Sequence, residues 1–157
     1  MAKKLLIAGS ALALICSCNS MENPLLTESS APFGAPEFDK IKNEHYLPAF
    51  EAGIAEAKAE IDAIVANKEE PTFENTIEAM EVSGQTLNNV AGIFFNLMEA
   101  DTDDEMQQIA ESVSPMLTEY SMYVSLNNDL FQRVKAVYEK KDELGLAPDQ
   151  MKLLEDN

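Results

Sequence analysis

Residues 43–66, NEHYLPAFEAGIAEAKAEIDAIVA, decide the fold. Leu47, Phe50, Ile54, Ala57, Ile61 and Ile64 recur there at spacings of 3 and 4. That is the period of an α-helix with one apolar stripe. Glu51, Glu56, Lys58, Glu60 and Asp62 fill much of the other face. The pattern predicts a helix from about Glu44 to Ala66, with Asn67 as its stop and Pro48 in the first turn, where a missing N–H costs nothing.

Working toward the C-terminus, Pro71-Thr72 breaks the chain and starts it again. Thr72 or Asn75 can cap, and Asn75 with Glu78 has capping-box spacing. Ile77, Met80, Leu87, Val90, Ile93, Phe94 and Leu97 predict one helix to about Met98. Gly84 and Gly92 weaken it by up to about 1 kcal/mol each and suggest close helix approach. Thr102-Asp103-Asp104-Glu105 reads as a hydroxyl cap followed by an acidic first turn. Met106, Ile109, Val113, Met116, Leu117 and Tyr120 continue from it, with Pro115 expected to kink or split the helix. A further segment begins at Asn127 or Asn128, turns Leu130, Phe131, Val134, Val137 and Tyr138 inward, and ends at Gly145. Ala147-Pro148-Asp149-Gln150 opens a last helix, with Met151, Leu153 and Leu154 on its apolar face. No alternating β-rich run appears, so the fold class is all-α, an array of antiparallel helices with short loops. The last helix is short for an isolated one. The helical domain, residues 37–157, is therefore expected to be truncated ahead of further protein.

Working toward the N-terminus, residues 18–36 hold Pro24, Pro32, Gly34 and Pro36 among polar residues and predict an extended tether. Phe33 and Phe38 are candidates to dock on the domain. Residues 1–17 begin with Lys3 and Lys4 and continue as an apolar run, Leu5 to Ile15, too short to span a bilayer. This is a signal-peptide pattern. Ile15-Cys16-Ser17-Cys18 resembles the lipobox of bacterial lipoproteins, in which a cysteine becomes the acylated first residue. Cys18 is the better candidate, because a small residue precedes it and bulky Ile15 precedes Cys16. The chain is accordingly expected to be exported and membrane-anchored, facing the periplasm or the cell exterior. Once cut before Cys18, it has one thiol and no disulfide.

The chain carries 28 Asp and Glu against 11 Lys and Arg, a formal charge of −17. Removal of Lys3 and Lys4 makes the balance 9 against 28. Such a surface repels nucleic-acid phosphates, so nucleic acid is not expected as a partner.

Candidate chemistry is sparse. His45 is the one histidine, and a helical zinc site needs a second one in H-E-x-x-H spacing. His45 is read as a first-turn residue that caps or packs locally. There is no G-x-S-x-G elbow and no phosphate loop. Asp101, Asp103, Asp104 and Glu105 lack calcium-loop spacing and its glycine, and read as a solvated helix start. The eight methionines read as core fillers. No catalytic residue and no metal ligand are assigned; the single modified position is Cys18.

Four blocks resemble one family. Phe38-Asp39-Lys40-Ile41-Lys42-Asn43-Glu44-His45-Tyr46-Leu47-Pro48-Ala49-Phe50 is similar to the opening block of the M3 zinc metallopeptidases, the group of thimet oligopeptidase, oligopeptidase A and peptidyl-dipeptidase Dcp. Pro71-Thr72-Phe73-Glu74-Asn75-Thr76 resembles the next block. Ser114-Pro115-Met116-Leu117 and Leu126-Asn127-Asn128-Asp129-Leu130-Phe131 follow in family order. The likeness runs from about Asn23 to Leu154, and the tether looks most like exported Dcp-type members. The resemblance implies a helical enzyme with a deep channel, whose N-terminal helices cover part of that channel and admit short peptides. It implies zinc in the full-length protein, held by an H-E-x-x-H segment beyond this region, where the metal activates water and the glutamate is general base. This chain has no such motif. It is expected to be inactive alone, the channel-covering region of an exported peptidase, with Dcp-like dipeptidyl carboxypeptidase activity favoured over internal cleavage. The alternative is a non-enzymatic helical lipoprotein that serves as a binding or scaffold module.

Overall fold

The stripe read from residues 43–66 becomes helix α1, Asn43–Ala66, in a computed structural model that describes residues 23–157. Tyr46, Ala49, Phe50, Ile54, Ala57, Ile61 and Ile64 are buried along it. Pro48 is not in the first turn but is the sixth helical residue. It offers no hydrogen to the Glu44 carbonyl one turn back; both residues are exposed, so water can serve that carbonyl.

After α1 the chain does not form the single helix expected up to Met98. It makes a π-helical turn, Phe73–Glu78, then the short helix α2, Ala79–Glu81, and then breaks. Gly84 sits at φ +68, the left-handed region that glycine enters without a Cβ penalty. Its N–H donates to Glu60 Oε2 at 2.6 Å, which ties the break to α1. Helix α3, Gln85–Ala100, starts there. The capping pair is Thr72 with Asn75 rather than Asn75 with Glu78. Thr72 Oγ1 accepts from Asn75 N at 3.1 Å, and Asn75 Oδ1 accepts from Thr72 N at 2.9 Å.

Helix α4 spans Asp104–Ser125. Its cap is Asp103, one residue later than expected, whose carboxylate accepts from Met106 N at 2.7 Å. An aspartate in this position also favours the positive end of the helix dipole, which a neutral threonine does not. Pro115 does not split α4, which continues through it. Ser114 Oγ bonds back to the Ala110 carbonyl at 2.7 Å and Thr118 Oγ1 to the Ser114 carbonyl at 2.9 Å. Helix α5, Asn128–Tyr138, is capped by Asn127 as expected and ends at Tyr138. Turns then lead to Gly145, at φ +63, well beyond the helix. Helix α6 is Pro148–Asp156, and Gln150 Oε1 accepts from Ala147 N at 3.0 Å. Among the described residues there is no strand.

Helix α1 is the centre. Helix α3 packs against it in the opposite direction, since Tyr46 meets Phe94 while Glu60 meets Gly84. Helix α4 runs parallel to α1 and in step with it. Asn43 Nδ2 bonds Asp103 and Glu105, Lys58 pairs with Glu119 at 2.9 Å, and the Tyr123 hydroxyl bonds Asp62. Partners on the two helices are thus separated by 60 to 62 residues from end to end. The expected antiparallel relation therefore holds for α3 against α1 and against α4, and not between α1 and α4. Phe94 stands edge-on to Tyr46 at 4.8 Å and to Phe50 at 5.5 Å. Full burial of Phe50 and Phe94 contributes roughly 2–3 kcal/mol each. A second cluster joins Phe73, Ile77, Val137 and Leu154 across the π-turn, α5 and α6. A third joins Ile61, Ile64 and Leu130.

The stretch expected as an extended tether is described from Asn23 onward, and that part lies against the helices. Leu25 is buried in the main core, and Asn23 Nδ2 donates to the His45 carbonyl at 2.8 Å. Leu25 therefore docks, whereas Phe33 and Phe38 are exposed. Phe33 sits in a 3-10 turn, Pro32–Gly34, at φ +62, a left-handed conformation that strains a bulky L-residue by about 1–2 kcal/mol. The expected signal segment, residues 1–17, and Cys18 lie outside the described residues.

Candidate functional site

The residues that looked most like chemistry are engaged in structure. His45 Nδ1 accepts the Lys42 backbone N–H at 3.0 Å, and its carbonyl takes Asn23. The imidazole thus closes the first turn of α1. The acidic run ahead of α4 is likewise committed. Asp103 holds the Met106 N–H, and Asn43 bridges Asp103, at 3.1 Å, and Glu105, at 3.0 Å. Among the described residues no three His, Cys, Asp or Glu side chains are grouped to hold a metal ion. This donor set does not fit zinc, which needs three or four converging N, S or O ligands.

These contacts give Asp103 a pH signature. The Met106 N–H, then Asn43, hold its carboxyl below the usual range. A depressed carboxyl stabilises the fold above its unfolded pKa of about 4, and the contribution disappears as the pH falls through the lower folded value. Asp103→Ala is expected to lower the thermal midpoint at pH 7 and to change it little at a pH low enough to protonate Asp103. An equal loss at both pH values would contradict the role of the charge.

One of the blocks read along the sequence, Pro71–Thr76, meets a buried side chain. Arg133, on α5, is 8% exposed. Its Nη1 donates to the Asn67 carbonyl at 2.9 Å, and its Nη2 to Asn75 Oδ1 at 3.0 Å. Nη1 also lies 3.5 Å from the Glu69 carbonyl, and Nη2 lies 3.4 Å from Thr76 Oγ1. Thr76 is fully buried and donates to Asn75 Oδ1 at 2.9 Å. Asn75 Nδ2 donates to the Glu70 carbonyl at 3.0 Å. The Pro71–Thr76 turn is therefore locked from within by its own cap and from outside by α5. The sequence reading missed Arg133. Its position was available, since 130, 133 and 137 are the inward spacing of α5, but its residue type argued against burial. Phe131 and Tyr138, expected inward, are 59% and 43% exposed.

Two surface features remain. An open groove of about 400 Å³ separates the Phe73–Val82 segment from α6, with Phe73, Val82 and Leu153 on its walls and Glu78, Glu81 and Asp149 beside them. Where α4 gives way to α5, Met122, Leu126 and Phe131 are exposed. The six methionines among the described residues divide. Met106 is buried, Met80, Met98, Met116 and Met151 are half-buried, and Met122 faces outward.

No helix among the described residues is long and apolar enough to cross a membrane. No family model matches the chain. It is 44% identical over 133 residues to dipeptidyl carboxypeptidase of Escherichia coli (strain K12), a match that covers 85% of this chain and 20% of that protein. It is 29% identical over 111 residues to oligopeptidase A of Salmonella typhimurium, 71% of this chain and 16% of that protein. To the thimet-like oligopeptidase of Dictyostelium discoideum it is 28% identical over 107 residues, 68% of this chain and 15% of that protein. The chain thus spans about one fifth of the length of the curated relatives it matches.

Proposed function

This chain belongs to the M3 peptidase family of dipeptidyl carboxypeptidase and oligopeptidase A, and from that premise we propose that it is the N-terminal, channel-covering region of an exported zinc-dependent metallopeptidase that hydrolyses short peptides. Removal of C-terminal dipeptides is the favoured activity. One observation carries that choice: identity to a dipeptidyl carboxypeptidase is 44% over 133 residues, against 29% over 111 residues to an oligopeptidase A. The family blocks act here as caps, turns and core, which suits a region that shapes a channel rather than one that reacts. The metal and the general base are assigned to sequence outside residues 23–157. The exposed Met122, Leu126 and Phe131 are assigned to contact with that further protein.

The isolated chain is expected to retain no stoichiometric zinc after dialysis and to cleave no fluorogenic peptide. Bound zinc, or cleavage that a chelator stops, would overturn the assignment. Sequencing past the codon for Asn157 is the complementary test. A frame that runs on into H-E-x-x-H supports the peptidase, and a stop codon favours the scaffold lipoprotein.

Export and anchoring are part of the same proposal and rest on residues 1–18. Cys18→Ala is expected to abolish incorporation of labelled fatty acid and to leave the leader uncut. Undiminished labelling would refute Cys18 as the acylated residue.

A further inference from the structure

The arm ahead of α1 has a feature that the peptidase reading leaves unused. Phe33 is fully exposed and held at φ +62. Its neighbours keep it there. Ser29 Oγ donates to the Ala35 carbonyl at 2.6 Å and accepts from Ala31 N at 3.1 Å, and Gly34 N bonds the Ala31 carbonyl at 3.1 Å. Ser30 Oγ donates to Glu37 Oε1 at 3.0 Å, and Lys40 pairs with the same oxygen at 2.8 Å. The arm is fastened to the domain by buried Leu25 and by Asn23. A braced loop that turns an aromatic ring into solvent, in a backbone conformation that disfavours it, points to a contact for that ring. Leu26 and Phe38, on the same arm, are 41% and 54% exposed.

Two further observations identify the occupant. Asn23 is five residues beyond Cys18, a reach of at most about 18 Å for any conformation of the chain. A lipid on Cys18 therefore keeps this arm beside the bilayer. The charge is also uneven. Residues 23–42 hold three acids and two lysines, whereas residues 43–157 hold 24 acids and seven bases. Anionic headgroups repel the helical body and leave the arm almost unaffected. We propose that the arm Asn23–Lys42 is a membrane-docking face, in which Phe33, with Leu26 and Phe38, enters the headgroup region of the bilayer that holds Cys18. The proposal rests on the lipid-anchor reading of Cys18.

The chain has no tryptophan, so Phe33→Trp supplies a single reporter. The processed chain from Cys18 has one thiol and couples through it to a maleimide lipid in phosphatidylcholine–phosphatidylglycerol vesicles. In vesicles with acyl chains brominated near the headgroup, Phe33→Trp emission is expected to shift to the blue and to fall by about twofold. Phe38→Trp is a second reporter with the same expected direction. Phe131→Trp, exposed on α5, is the control and is expected to be unquenched. Quenching of Phe33→Trp and Phe38→Trp no greater than that of Phe131→Trp would overturn the docking face. The mass of the natural chain taken from membranes separates the two ideas. An acylated chain whose arm is unquenched loses the docking alone; a chain without acyl groups loses the anchor and the docking with it.

Discussion

Arg133→Ala is expected to remove about 3 kcal/mol of stability and lower the thermal midpoint by about 10 °C. The guanidinium makes its closest bonds to the Asn67 carbonyl and to Asn75 Oδ1, so truncation deletes two charge-assisted hydrogen bonds at once. It also opens a void beside the cluster of Phe73, Ile77, Val137 and Leu154. The effect reaches beyond α5. The arginine is the link by which residues 67–76, the connection between α1 and the π-turn, are held to the helix that packs beneath them.

Two further substitutions separate charge from geometry. Arg133→Lys keeps the charge but replaces a planar fork with a point donor, which cannot serve both Asn67 and Asn75 as the guanidinium does. It is expected to recover less than half of the loss. Arg133→Met fills the space and removes a charge whose Nε has no partner. Asn75 Oδ1 still receives the Thr72 N–H, and the Asn67 carbonyl is near enough to the surface to be hydrated. Methionine is therefore expected to be milder than alanine, in line with buried charges whose apolar replacement is tolerated. Urea titration of the three variants checks this order. Equal losses for alanine and methionine would mean that the hydrogen bonds, not packing, carry the effect.

The sequence disclosed regular structure better than it disclosed contacts between distant residues. Helix α1 was legible to within a residue, because six apolar positions keep one spacing and Asn67 follows them. The break at Gly84 was not. A glycine in a helical pattern is either tolerated or turned to positive φ, and the choice here goes with a bond to Glu60, 24 residues earlier. The cap of α4 shifted from Thr102 to Asp103, whose carboxylate also meets Asn43, 60 residues away. On α5 Leu130 and Val137 were legible as inward positions, and position 133 was not. Hydropathy selected Phe131 and Tyr138, and geometry selected Arg133. The family blocks were recognisable as motifs, yet the lock of the Pro71–Thr76 block on one arginine became visible only when Asn75, Thr76 and Arg133 met in space.

Gly53 carries the second large effect, and the sequence reading did not single it out. Close helix approach was expected at Gly84 and Gly92; a Cβ on Gly84 would meet Ala57 Cβ and the Tyr120 hydroxyl at 3.5 Å, whereas nothing beyond its own stretch of helix lies within 4 Å of a Cβ built on Gly92. A Cβ on Gly53 would stand 3.0 Å from Leu87 Cα, 3.2 Å from its N and 3.3 Å from its Cβ. The obstacle is the backbone of α3, so no rotamer change relieves it. The helices would have to separate, and the contact they share also aligns Phe50 with Phe94 and Glu60 with Gly84. Alanine gains about 1 kcal/mol of intrinsic helix preference over glycine, while overpacking of this kind costs about 1–3 kcal/mol. Gly53→Ala is thus expected to destabilise by roughly 1 kcal/mol. Gly53→Val places further carbons against the same backbone and should cost about 3 kcal/mol or more. Gly92→Ala has the same gain in preference and no obstacle, and should stabilise by about 0.5–1 kcal/mol. The test is the sign. Denaturant midpoints that move in opposite directions for Gly53→Ala and Gly92→Ala place the close contact of α1 and α3 at Gly53. Midpoints that rise for both would show that Leu87 leaves room for a Cβ at position 53.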